Sequence, residues 1–138
     1  MKIRLSILVS LILALVACSA GSAEWTPLPS GAEPPATCAR ADADGVIALS
    51  ADQLRFSVPC MAVAVQLSFV VRFTDAESEP HNVAIYTDRS KATSVIVGDT
   101  ITGPNKTVDY PVEGLAAGDY YFVCTIHPAA MNGALYVR

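Results

Sequence analysis

Near the C-terminus, Cys124-Thr125-Ile126-His127-Pro128-Ala129-Ala130-Met131 places a thiolate, an imidazole and a thioether within eight residues, at the end of an apolar run. The chain has two histidines, and the other, His81, lies far upstream after a second strand-like stretch. A soft thiolate favours Cu(I), imidazole suits Cu(II), and a long, weak thioether contact tunes the balance between them. Two His, one Cys and one Met are therefore the donor set of a type 1 copper site. Taken singly, each residue has an ordinary use: a Met near a chain end packs in a core, and a free Cys in a strand is a small hydrophobe. Taken together, every His and the one strand-end Cys fall at candidate ligand positions. Zinc also accepts Cys and His, but the Met and the exported location described below favour copper. The expected site is one copper held by His81, Cys124, His127 and Met131, and it exists only if the four side chains converge.

Convergence needs a frame, and the frame reads as β throughout. Val65, Leu67, Phe69, Val71 and Phe73 alternate with Gln66, Ser68, Val70 and Arg72, which predicts a half-buried strand. Val108, Tyr110 and Val112 repeat the period of two, and 46–49, 54–58, 83–86 and 93–97 are further short β-rich runs. Tyr120 to Cys124 is apolar on both faces, as a central strand requires, and Ala134 to Val137 closes the chain. Gly98-Asp99, Gly103-Pro104-Asn105, Gly114, Gly118-Asp119 and Asn132-Gly133 mark the turns between them. No segment holds a helical period, although Ala51 to Leu54 has room for one turn. Roughly seven or eight short strands with regular turn spacing predict an all-β fold, an antiparallel β-sandwich over Thr37 to Arg138. In that frame Cys124 ends one strand, Pro128 stiffens the loop after His127, and His81 arrives from a separate strand end.

The beginning of the chain is of another kind. Lys2 and Arg4 precede an apolar run from Ile7 to Val16, a secretory signal too short to span a membrane stably. It ends in Leu15-Val16-Ala17-Cys18, which resembles the bacterial lipobox, with 1–17 removed and Cys18 lipidated. Cleavage at the small residues Gly21-Ser22-Ala23 is the alternative. Several acyl chains on one Cys would anchor the protein stably. Residues 18–36, rich in Ser, Ala, Gly and Pro, read as an extended tether between membrane and domain. Either route exports the chain, so its cysteines meet an oxidising compartment. Of the four, Cys18 goes to lipid and Cys124 to metal, leaving Cys38 and Cys60 as a disulfide or as two buried thiols. The formal charge is −4; losing Lys2 and Arg4 leaves 7 basic side chains against 13 acidic ones, near −6. Nucleic acid, which wants a basic face, is excluded as a partner, while a cationic redox protein is compatible.

The stretch from Asp119 to Gly133 resembles the C-terminal copper loop of the cupredoxins, of the plastocyanin and amicyanin type. Pro80-His81-Asn82-Val83-Ala84-Ile85-Tyr86 is similar to the segment that supplies their upstream His. The resemblance runs from about Ala64 to the C-terminus. It implies a Greek-key sandwich, an Asn82 side chain that ties the two ligand segments, and an apolar rim including Pro128 around the exposed edge of His127, where electrons enter and leave. The function this implies is a membrane-tethered one-electron carrier on the outer face of the bacterial cytoplasmic membrane or facing the periplasm. Its partners would be redox proteins such as a cytochrome or a membrane oxidase, and its domain a monomer. A copper buffering or delivery protein is the alternative. An enzyme is not expected, because copper oxidases and nitrite reductases need further His-rich sites and both histidines are already spent.

Overall fold

The computed structural model describes residues 27–138. The signal segment, Cys18 and the first part of the expected tether lie outside the described residues. Among those described, no residue is helical, and twelve strands run in the order β1 (Ala39–Arg40), β2 (Val46–Asp52), β3 (Arg55–Phe56), β4 (Cys60–Val63), β5 (Phe69–Asp75), β6 (Pro80–His81), β7 (Ala84–Tyr86), β8 (Ser94–Val97), β9 (Ile101–Thr102), β10 (Lys106–Val112), β11 (Gly118–Val123) and β12 (Asn132–Val137).

They form two main sheets. One has six strands in the order β1-β4-β12-β11-β7-β8, the other four in the order β10-β5-β2-β3, and β6 with β9 makes a two-stranded ribbon beside them. The expected sandwich is thus present. Its pairing is mixed rather than wholly antiparallel: β1 with β4, β4 with β12, and β2 with β5 run parallel. The parallel pairs arise because each of these strands crosses to the other sheet before its neighbour in space is laid down. Four of the twelve strands have only two residues, which is why the pattern suggested fewer.

Between the sheets the inward positions of both layers meet. Ile47, Val71, Phe73, Met61, Phe122, Leu135 and Val137 have no exposed surface, and Leu49 is nearly as buried. Each such side chain contributes about 1.5–3 kcal/mol by leaving water. Phe56 joins Phe73 to Phe122, with ring centroids at 6.1 and 5.3 Å, and edge-to-face or tilted pairs of this kind add to the area term.

The strand read from Val65 begins only at Phe69. Gln66 has a φ of 59° and accepts no place in a ladder; its N–H goes to Leu115 O at 2.9 Å and Leu67 N–H turns back to Ala64 O. Val65 and Leu67 are consequently exposed, while Phe69, Val71 and Phe73 keep the buried register. The helical turn allowed at 51–54 is likewise absent: Ala51 and Asp52 end β2, and Gln53 and Leu54 make the tight turn into β3 with φ of 52° and 55°.

The outer face of the larger sheet carries its own cluster of Cys38, Cys60, Ala62, Ala134 and Tyr136, with Leu28 packed on it. Leu28 N–H donates to Asp119 Oδ2 at 2.7 Å, and Arg138, paired with Asp119, donates from Nε to Ala32 O at 3.1 Å. The second half of the expected tether therefore lies against the sheet, held by an apolar contact and a half-buried ion pair that composition alone does not reveal. The Cys38–Cys60 disulfide fastens it. The bridge spans 22 residues of chain, a closure that contributes about 3 kcal/mol through the unfolded state. Urea unfolding of a Cys38→Ala/Cys60→Ala variant is expected to lose about that amount, with the copper site's absorption retained. A midpoint equal to the parent's would mean the bridge adds nothing.

Candidate metal centre

All three strong donors come to one end of the sandwich. β11 delivers Cys124 one residue past its last ladder position, with no exposed surface. The loop after it is closed twice over. Cys124 N–H donates to Met131 O at 2.9 Å, and Met131 N–H donates to His127 O at 2.9 Å. Asn132 Nδ2, on the first residue of β12, donates to Pro128 O at 3.0 Å. The first and last candidate ligands of the loop are thereby hydrogen-bonded to one another through their backbones. Met131 is fully buried in the same core cluster as Cys124. His81 comes from β6, whose pairing with Ile101 of β9 holds it where it is fully buried.

The donor atoms are close. Cys124 Sγ lies 3.8 Å from His81 Nδ1 and 4.0 Å from His127 Nδ1, and the two Nδ1 atoms are 3.3 Å apart. Among the described residues this is the one group of three His, Cys, Asp or Glu side chains drawn together tightly enough to hold a metal. A zinc-sized divalent ion binds imidazole nitrogen at about 2.0 Å and thiolate at about 2.3 Å. Three such donors spread evenly in a plane around one ion stand roughly 3.5 Å apart, nitrogen to nitrogen, and roughly 3.7 Å apart, nitrogen to sulfur. The separations match that triangle, so these three atoms would hold a single ion. Zinc would want a fourth strong ligand in a tetrahedron. The fourth here would be the thioether of Met131, a weak donor that suits copper.

The histidine tautomer is set from outside the triangle. His81 Nε2 lies 2.9 Å from Glu77 Oε1. A carboxylate only accepts, so Nε2 carries the proton and Nδ1 keeps its lone pair for the metal. The same Oε1 accepts Leu54 N–H at 2.9 Å. These two bonds, that from Leu54 the stronger influence, hold the Glu77 carboxyl below the usual carboxylate range against the upward push of burial. Glu77 went unnoticed in the sequence: it stands four residues before His81 in an acidic loop that also contains Glu79, and nothing in the spacing selects one over the other. Asn82, expected to tie the ligand segments, accepts Thr125 N–H at 2.9 Å and the Thr125 hydroxyl at 3.1 Å on Oδ1. Its Nδ2 donates to Gly98 O at 3.0 Å, a partner the sequence did not suggest. Pro128 and its neighbours Ala129 and Ala130 are exposed, Ile126 is 40 % exposed, and His127 is the one imidazole that reaches the surface, through this apolar rim.

A mixed β-sandwich carrying two histidines, one buried cysteine and one buried methionine at one end is a cupredoxin with a type 1 copper site. Residues 44–138 match the family model described as copper binding proteins of the plastocyanin/azurin family. The chain belongs to that family, which transfers electrons and does not catalyse reactions. Among solved structures, the "blue" copper protein auracyanin A of the green thermophilic photosynthetic bacterium Chloroflexus aurantiacus superposes with a TM-score of 0.61 at 19 % identity, over 67 % of this chain and 98 % of that one. Reduced auracyanin of Roseiflexus castenholzii gives 0.61 at 18 %, over 70 % and 99 %. A reduced amicyanin variant gives 0.52 at 26 %, over 70 % and 86 %. A search of curated proteins finds no match.

A ligand role for Met131 would have a direct consequence. Met131→Leu keeps the buried volume and the strong donors but removes a weak donor to Cu(II), so the blue colour should persist while the reduction potential rises. Voltammetry checks this, and an unchanged potential would take Met131 out of the ligand set.

Proposed function

We propose that the protein is a membrane-tethered carrier of single electrons, working outside the cytoplasmic membrane, anchored through a lipid on Cys18 or facing the periplasm. When bound, copper supplies a one-electron couple between Cu(II) and Cu(I). What the chain supplies is a frame that does not have to move. Cys124 and Met131 are locked by their backbone pairing, His81 by Glu77, and the peptide after Cys124 by Asn82. Donors held in advance at the separations both oxidation states accept keep reorganisation small, and small reorganisation makes transfer fast. That preformed triangle is the observation that carries the reading. The tether reading is supported by the Leu15-Val16-Ala17-Cys18 sequence alone.

His127 is the port. Its ring is the only ligand at the surface, and Ile126, Pro128, Ala129 and Ala130 around it offer a partner a dry contact. The acidic balance of the chain favours a partner with basic groups, a cytochrome or a membrane oxidase. The test mixes the reduced, copper-loaded full chain with an oxidised cytochrome and, separately, with a Cu(I)-accepting protein. A carrier exchanges electrons rapidly and keeps its copper. Loss of copper to the acceptor with slow electron exchange would replace the carrier by a copper-delivery protein.

A further inference from the structure

Asn82 is the link between the two ligand segments, and the orientation of its amide is not free. Thr125 presents two donors to it, the backbone N–H and the hydroxyl, so the amide must turn its oxygen toward Thr125. Flipped, the amide would set its own donors against the Thr125 N–H, and Asn82 is only 3 % exposed, so that N–H would be left unpaired. The acceptor on the other side, Gly98 O, takes Nδ2 at 3.0 Å and holds the amide in that same orientation.

That carbonyl is itself gripped. Gly98 N–H donates to Val83 O at 3.0 Å. The Tyr110 ring lies directly against Gly98: a Cβ there would sit 2.4, 2.7 and 2.8 Å from Tyr110 Cε1, Cζ and Cδ1. The Tyr110 hydroxyl donates to Asp99 O at 2.6 Å, one residue further on. Ring and hydroxyl together clamp the Gly98-Asp99 turn. Burial pushes the phenol up to about 12, so it remains a neutral donor through the physiological range. Phe73, stacked on Tyr110 with centroids 6.2 Å apart, backs the ring from the core.

We propose that Tyr110 and Gly98 are positioning residues for the copper thiolate: Tyr110 holds the Gly98-Asp99 turn, Gly98 O fixes the Asn82 amide, and Asn82 fixes the peptide that follows Cys124. The chain of contacts requires a residue without a side chain at position 98 and a ring with a hydroxyl at position 110. Neither residue touches the metal. The proposal needs the copper site alone and is independent of the carrier role.

The experiment loads the full chain with one equivalent of Cu(II) and reads the charge-transfer band, the copper hyperfine splitting, the reduction potential and Cu(II) affinity, with urea unfolding of the metal-free chain as a separate measure of stability. Gly98→Ala and Tyr110→Leu are expected to lower Cu(II) affinity about 10- to 100-fold, as loss of outer support to a ligand does, and to alter the band and splitting. Ile47→Ala is the control: it opens a cavity in the same core, outside the Tyr110–Gly98–Asn82 contacts, and should cost stability while leaving affinity and spectrum in place. A double-mutant cycle then tests the route. Gly98→Ala added to Asn82→Ala should weaken binding no further than Asn82→Ala alone, because both act through one amide. Tyr110→Phe removes only the bond to Asp99 O and carries the test if the larger changes do not fold; a shifted potential is expected. Parent-like affinity and spectrum in Gly98→Ala, an equal disturbance by Ile47→Ala, full additivity in the cycle, or a Tyr110→Phe protein with unshifted potential would each overturn the proposal.

Discussion

Cys124→Ser removes the intense visible band and leaves Cu(II) bound only weakly. The replacement is close to isosteric, and the bond from residue 124 N–H to Met131 O belongs to the backbone, so the loop has every reason to keep its shape. What changes is the donor. A thiolate is a soft, charged ligand that transfers charge to Cu(II) in the visible. A serine hydroxyl in a site with no solvent exposure stays protonated and offers a weak neutral oxygen. Two Nδ1 atoms 3.3 Å apart remain, with the thioether as a poor third. Affinity should fall by more than the ~100-fold that loss of a merely supporting partner costs. The buried hydroxyl also lacks the sulfur's tolerance for an apolar wall, a cost of about 1–3 kcal/mol if it stays unpaired. Absorption and electron paramagnetic resonance spectra after one equivalent of Cu(II) decide it: a retained strong band with narrow hyperfine splitting would mean that Cys124 is not the copper thiolate.

The ligands were legible because their chemistry is rare. Two histidines in the whole chain and a single cysteine at a strand end leave little room for another reading. The strands with alternating burial, β5 from Phe69 and β10 through Tyr110 and Val112, were legible for the same reason that they are stable: one face is core and the other is solvent. β4 was not. Cys60 to Val63 is buried on both faces, between β1 and β12, and so shows no period at all. The false start at Val65 came from apolar residues that continue the alternation by chance while Gln66 leaves β space. The supporting shell was hardest to read. Glu77, Gly98 and Tyr110 act through contacts that form only once β5, β8 and β10 are folded next to the copper end, and residues of these types occur many times without such a role. Composition likewise presented 18–36 as one uniform tether, because the Leu28 and Ala32 contacts to Asp119 and Arg138 join positions about a hundred residues apart.

Glu77 is where that invisible shell should show its largest effect. Its Oε1 accepts both the His81 Nε2–H and the Leu54 N–H, each at 2.9 Å. Glu77→Ala leaves a fully buried imidazole N–H without an acceptor, and strips support from a turn whose two central residues, Gln53 and Leu54, are both left-handed without being glycine. Each unsatisfied buried group costs about 1–3 kcal/mol. The ring is then free to rotate or to exchange its proton between nitrogens, and Cu(II) affinity should drop about 10- to 100-fold. Glu77→Gln separates orientation from charge. The amide oxygen still accepts from His81, so affinity should stay nearer the parent. The negative charge is gone, however, and a carboxylate close to the metal favours Cu(II) over the less positive Cu(I). Its removal makes reduction easier, so the potential of Glu77→Gln should rise while the blue band keeps its position. Affinity titrations and voltammetry on the two variants give the answer. Parent-like affinity in Glu77→Ala together with an unshifted potential in Glu77→Gln would reduce Glu77 to a cap on the β2–β3 turn, and the orientation of His81 would then have to come from its pairing in β6 alone.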